Sequence, residues 1–67
     1  MLRVKELLRR FQIVVYTGNK WDDLVLMELE LDDLYEEKLI EKEEYLTMKT
    51  ILKSEMGALK RSENETI

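Results

Sequence analysis

Asp22-Asp23-Leu24-Val25-Leu26-Met27-Glu28-Leu29-Glu30-Leu31-Asp32-Asp33-Leu34-Tyr35-Glu36-Glu37 carries eight carboxylates and no cation. Through the same stretch Leu24, Met27, Leu31, Leu34 and Tyr35 recur at the spacing of one helix face. The segment before it is basic, with Arg3, Lys5, Arg9 and Arg10 against Glu6 alone. Opposite charges on successive amphipathic segments set how two helices sit together, and they leave little charge over for a ligand. The pattern therefore specifies a shape more sharply than an activity.

Sixty-seven residues make one domain near the lower limit for folding without staples. There is no Cys and no His. Disulfides, thiolate or imidazole zinc sites, and Cys or His nucleophilic dyads are excluded together. A small domain without disulfides fits a reducing cytoplasm. Met1-Leu2-Arg3-Val4-Lys5-Glu6 scatters charge through its apolar positions, unlike a signal peptide, and no apolar run reaches the roughly 20 residues that span a bilayer. With 39% charged residues, no Pro and two Gly, the composition is that of an all-helical chain. A net charge of −4 disfavours non-specific binding to nucleic acid or anionic lipid, so such a role needs a local basic patch.

Working outward, Val4, Leu7, Leu8, Phe11, Val14 and Val15 share a face at 100° per residue, which predicts a helix continuing through the β-branched pair. Residues 12–17 also have strand propensity, but nothing else in the chain offers a partner strand. Tyr16-Thr17-Gly18-Asn19 is the best turn signal. Gly18 suits the left-handed residue that closes a helix, Asn19 the cap of the next, and Asp22 the returning partner of a capping box. A turn of about two residues between the first two helices is expected. In the third helix Tyr45, Met48, Leu52, Met56 and Leu59 form the inner stripe, and Gly57 weakens the last turns. On the middle helix Val25, Leu26 and Leu29 form a second apolar group away from the inner face. Either that helix meets neighbours on a wide arc, or this patch meets another molecule.

The carboxylate pairs Glu28/Asp32, Asp32/Glu36 and Asp33/Glu37 lie one turn apart, yet a single rigid helix brings too few oxygens together for Mg²⁺ or Ca²⁺. Paired carboxylates for acid–base work need a desolvating cleft that so small a bundle hardly provides. Gly18 and Gly57 stand alone, so there is no phosphate loop, and no Ser or Thr has a nucleophile-activating partner. An enzyme is not expected. The cations offer more. Lys42, Lys49, Lys53 and Lys60 share a narrow arc of the third helix. The first helix adds its four, and Tyr16, Lys20 and Trp21 lie between. Cations interleaved with aromatic rings suit a single-stranded nucleic acid, whose phosphates need charge and whose bases need flat faces. The competing expectation is that these lysines border the core and pair with the carboxylates of the middle helix.

Tyr16-x-Gly18-Asn19-Lys20, followed by Asp23-Leu24, Met27, Glu30-Leu31, Leu34-Tyr35, Leu39-Ile40, Glu43-Glu44-Tyr45 and Ile51-Leu52, resembles the YqgQ-like family of small bacterial proteins. The resemblance covers roughly residues 16–52, the first helix agreeing in amphipathic character only. It implies a cytoplasmic three-helix bundle that binds single-stranded DNA or RNA, with no catalytic residue and no cofactor. Two departures bear on shape. Family members place Gly where this chain has Lys38 and a small hydroxyl residue near Glu41. A residue with a Cβ must therefore take the second turn, in the left-handed conformation, and the third helix is less well capped. Met48 also replaces a small residue.

The expectation is thus an all-α, compact antiparallel three-helix bundle with helices over about residues 2–16, 20–37 and 42–61, and a fraying tail at 62–67. Its expected role is non-catalytic binding of single-stranded nucleic acid. Candidate contacts are Arg3, Lys5, Arg9, Arg10, Lys49 and Lys53. The alternative is a protein-interaction module in which Val25, Leu26 and Leu29 meet a protein partner or a second copy of the chain. No metal, cofactor or membrane is expected.

Overall fold

The computed structural model describes the backbone of residues 1–65 and the side chains of residues 1–61. It is a three-helix bundle: α1 is Leu2–Arg10, α2 is Lys20–Glu36 and α3 is Lys42–Glu65, with no strand among the described residues. α2 and α3 make the main interface, and α1 packs against both. The pairs Glu28 with Lys53, Asp32 with Lys49 and Tyr35 with Tyr45 show these two helices to be antiparallel. Their shared core contains Leu24, Met27, Leu31, Leu34, Met48 and Leu52, closed at one side by Val4, Leu7 and Leu8 of α1 and at the α2–α3 turn by Ile40. Each α2 member of this core was legible as the inner helical stripe; the exception from that stripe is Tyr35, which is only half-buried.

The first helix is shorter than its apolar pattern predicts. It ends at Arg10, not near residue 16. Gln12 turns left-handed at φ 62°, its N–H donating to the Arg9 carbonyl at 2.9 Å, while the Ile13 N–H reaches the Leu8 carbonyl at 3.0 Å. This is a Schellman end, which satisfies two carbonyls of the last turn and throws the chain out of the helix. From there the burial period changes from helical to alternating. Phe11, Ile13 and Val15 turn toward the core, whereas Gln12, Val14 and Tyr16 face solvent. Val14, expected on the buried face of a helix, is 78% exposed. β-Branched side chains favour this extended backbone, and a short apolar run satisfies both periods, so the helical reading of residues 11–15 fails.

The connection is therefore residues 11–19 rather than a two-residue turn. Gly18 does adopt a left-handed backbone, at φ 87°, but it sets up α2 instead of closing α1. Asn19 caps α2 as expected, its Oδ1 accepting from the Asp22 N–H at 3.0 Å. The reciprocal half of the cap differs. The Asn19 N–H donates to Thr17 Oγ1, and Asp23 rather than Asp22 turns back, accepting from the Thr17 N–H and hydroxyl, both at 2.7 Å.

The second turn takes the expected form. Lys38 is left-handed at φ 63°, with Lys38 N–H on the Tyr35 carbonyl and Leu39 N–H on the Leu34 carbonyl. Both helix ends thus use the same motif with a non-glycine residue. At the start of α3, the Glu41 carbonyl accepts from the Tyr45 N–H at 2.9 Å. α3 then runs on to Glu65, past the boundary expected at residue 61. Residues 66 and 67, the end of the expected frayed tail, lie outside the described residues.

Candidate nucleic-acid interface

The six candidate cations separate into paired and free groups. Lys49 and Lys53 project from α3 along its border with α2 and belong to the carboxylates there. Lys49 Nζ lies 2.7 Å from Asp32 Oδ1 and 3.4 Å from Glu28 Oε2, and Lys53 Nζ lies 3.0 Å from Glu28 Oε2. Tyr45 donates its hydroxyl to Asp32 at 2.7 Å and stacks on Tyr35, ring centroids 4.2 Å apart, with the Lys49 ammonium 5.4 Å from its own ring centre. Glu28 Oε2 is shielded from water and makes no well-aligned hydrogen bond, so the two ammonium groups are what offset its burial.

Protonation follows from this network. Partial burial pushes the Asp32 carboxyl up, but hydrogen bonds from Lys49 and Tyr45 and the charges of Lys49 and Lys53 outweigh it, holding the group below its usual 3.8. The hydrogen bond to Asp32 holds the Lys49 ammonium above its usual range, against the effect of its own burial. Lys49 and Lys53 thus act as a staple between α2 and α3, and little of their charge is left for a phosphate. Arg10 is also occupied, at 2.8 Å from Glu44 Oε2, though this pair is open to solvent and contributes only about 0–1 kcal/mol.

Arg3, Lys5 and Arg9 make no ion pair among the described residues. They stand on two flanks of α1. Arg3 lines a cleft with Arg10, Glu6 and Glu44, where the acids oppose an incoming anion. Lys5 and Arg9 instead line a cleft of about 210 Å³ between α1 and the extended segment, floored by Leu8 and Met27 and walled by Val14 and Tyr16. No carboxylate among the described residues lines it. Tyr16 is 84% exposed, so its ring faces are free to stack. The other expected aromatic, Trp21, sits with Lys20 and Lys60 in a separate cleft that also contains Asp22.

The extended wall was the element that sequence reasoning missed. Its signal was the alternation of Phe11, Ile13 and Val15 with Gln12, Val14 and Tyr16, discounted for want of a partner strand. The split between Lys5/Arg9 and Arg3/Arg10 was equally available, since at 100° per residue the two pairs fall on opposite flanks. Among the partner-interface candidates, Val25 is half-buried, while Leu26 and Leu29 are 40% and 54% exposed. No three carboxylates converge as a metal site among the described residues.

No curated protein and no solved structure matches this chain. A family model does, and it spans residues 1–58, so it takes in α1 and the extended segment as well as the turn and helices on which the resemblance was first drawn. With three helices, an Asn19-capped α2 and a match over most of its length, the chain belongs to the YqgQ-like family.

Proposed function

We propose that this protein binds single-stranded nucleic acid, DNA or RNA, without catalysis, on the face formed by α1 and residues 13–16. The observation that carries the reading is the position of Lys5 and Arg9. Among the described residues they are unpaired cations beside an exposed tyrosine in a cleft free of carboxylates, on a protein of net charge −4. Phosphates need the cations, and an unpaired base needs the ring. Arg9 can serve both, because a guanidinium also stacks on bases. A duplex is the poorer ligand, since no helix here is basic on a face broad enough to enter a groove with flanking phosphate contacts. The absence of cysteine agrees with a cytoplasmic setting, and no helix among the described residues is long and apolar enough to cross a membrane.

An electrophoretic mobility shift with matched single- and double-stranded oligonucleotides at two salt concentrations tests the proposal. A shift with the single strand, weaker with duplex and lost as salt rises, is the expected result. No shift at low salt refutes it.

A second reading rests on Leu26 and Leu29, adjacent exposed leucines on the side of α2 away from the core. They suit a protein partner or a second copy of the chain, through an apolar contact insensitive to salt.

A further inference from the structure

We propose that the cleft between α1 and residues 13–16 receives a single base edge-on, so that binding is base-selective and not merely electrostatic. The inference rests on the single-strand reading and specifies its chemistry. Among the described residues, neither the N–H nor the C=O of Val14, Val15 or Tyr16 has a protein partner. Because side chains here alternate between core and solvent, these backbone groups point sideways along the surface. In extended backbone the N–H and C=O of one residue face the same side. The edge toward α1 therefore offers a donor and an acceptor together, the complement of a base's Watson–Crick edge.

The rest of the cleft fits the same occupant. Leu8 and Met27 close its floor from within the core, so the apolar surface open to a ring comes from the exposed Val14, and Tyr16 at the mouth suits the neighbouring base. Lys5 and Arg9 stand where flanking phosphates would lie. At about 210 Å³ the space is smaller than the roughly 300 Å³ at which drug-sized ligand sites begin, and accommodates one ring system. Of the other sizeable clefts, one is purely acidic, with Glu30 and Asp33 among its lining, and three mix cations with acids: Lys20 and Lys60 with Asp22, Arg3 and Arg10 with Glu6 and Glu44, and Lys38 and Lys42 with Glu36 and Glu41. Among the described residues, only the Lys5–Arg9 cleft is lined by cations without an acid, which favours it for a polyanion.

The test is an amide-resolved NMR titration of the full chain with homotrimers of dA, dC, dG and dT at low salt. The expected result is shifts at Val14, Val15 and Tyr16 and a spread in Kd of at least about fivefold, the low end of one good base-edge pair. Val14→Pro removes one backbone donor while its exposed side chain leaves the core untouched, and it should collapse the spread. Tyr16→Ala removes the stacking face and should weaken all four trimers by a similar factor while the spread persists. Should the proline variant fail to fold, the wild-type spread and the amide map decide. Binding with unmoved amides at Val14, Val15 and Tyr16, or four constants within about twofold of each other, overturns the base cleft and leaves the single-strand reading standing. Absence of binding to every trimer and to longer single strands overturns both.

Discussion

Replacing Lys38 by glycine should stabilise the protein. Lys38 ends α2 at φ 63°, where its Cβ crowds the backbone at a cost of about 1–2 kcal/mol that glycine does not incur. Its backbone must stay left-handed, because the Lys38 and Leu39 N–H groups are committed to the Tyr35 and Leu34 carbonyls. Its side chain is exposed and makes no ion pair among the described residues, so removing it forfeits none. Against the relief stands the greater freedom of glycine in the unfolded chain, about 0.4–1 kcal/mol. The balance is a gain of roughly 0.5–1 kcal/mol, or about 2–8 °C in Tm for a domain of this size. Thermal unfolding followed by circular dichroism, with urea denaturation at 25 °C, measures it. Gln12→Gly at the matching end of α1 should act in the same direction. An unchanged or lowered Tm for Lys38→Gly would refute the argument, because it would mean that the left-handed turn carries no strain to relieve.

Gly18→Val should cost more than about 1 kcal/mol in urea denaturation. The space around Gly18 is open, so the loss would come from φ 87° alone; a near-neutral result contradicts the turn geometry. Asp32 gives a pH dependence. Its pKa is depressed on folding, so its contribution is complete above the unfolded value near 3.8 and is lost as pH falls through the folded value. Asp32→Asn should therefore lower the urea midpoint at pH 7 and narrow its gap to wild type in strong acid; a gap that stays constant with pH removes the Lys49–Tyr45 network as its cause. Sedimentation at high concentration tests self-association: a dimer that Leu26→Glu dissociates with helicity intact supports the second reading, and a monomer ends the second-copy version of it.

What the residues revealed depended on whether local chemistry had a rival. α2 was legible because its stripe, its Asn19 cap and its lack of any glycine before Gly57 agree, and the left-handed Lys38 followed from that lack together with the glycine the resemblance implies at this position. α1 was misjudged for the converse reason. Gly18 looked like the obvious helix stop, yet Gln12 stops the helix first and the β-branched residues after it pack equally well in an extended chain. The pairing of Lys49 and Lys53 with α2 carboxylates was foreseeable from charge alternation between neighbouring helices. Which α1 cations remain free was not, because Arg10 meets Glu44 of α3 only through the tertiary packing, and the wall beside Lys5 and Arg9 is the misread segment. With residues 11–16 drawn as helix, the Lys5 and Arg9 flank has no opposing wall and the cleft does not exist.

Fluorescence anisotropy of a labelled single strand across a salt series tests the central claim most directly, using two charge-matched variants. Lys5→Glu with Arg9→Glu reverses the proposed site, whereas Lys60→Glu with Arg61→Glu makes the same change in net charge on exposed residues of α3. The account predicts that the first pair loses at least about tenfold in affinity and flattens the log–log salt slope by about 1.4, from two lost phosphate contacts at about 0.7 each. The second should keep the wild-type slope. Equal losses in both variants would show that binding answers to net charge and not to this cleft, and would contradict the claim.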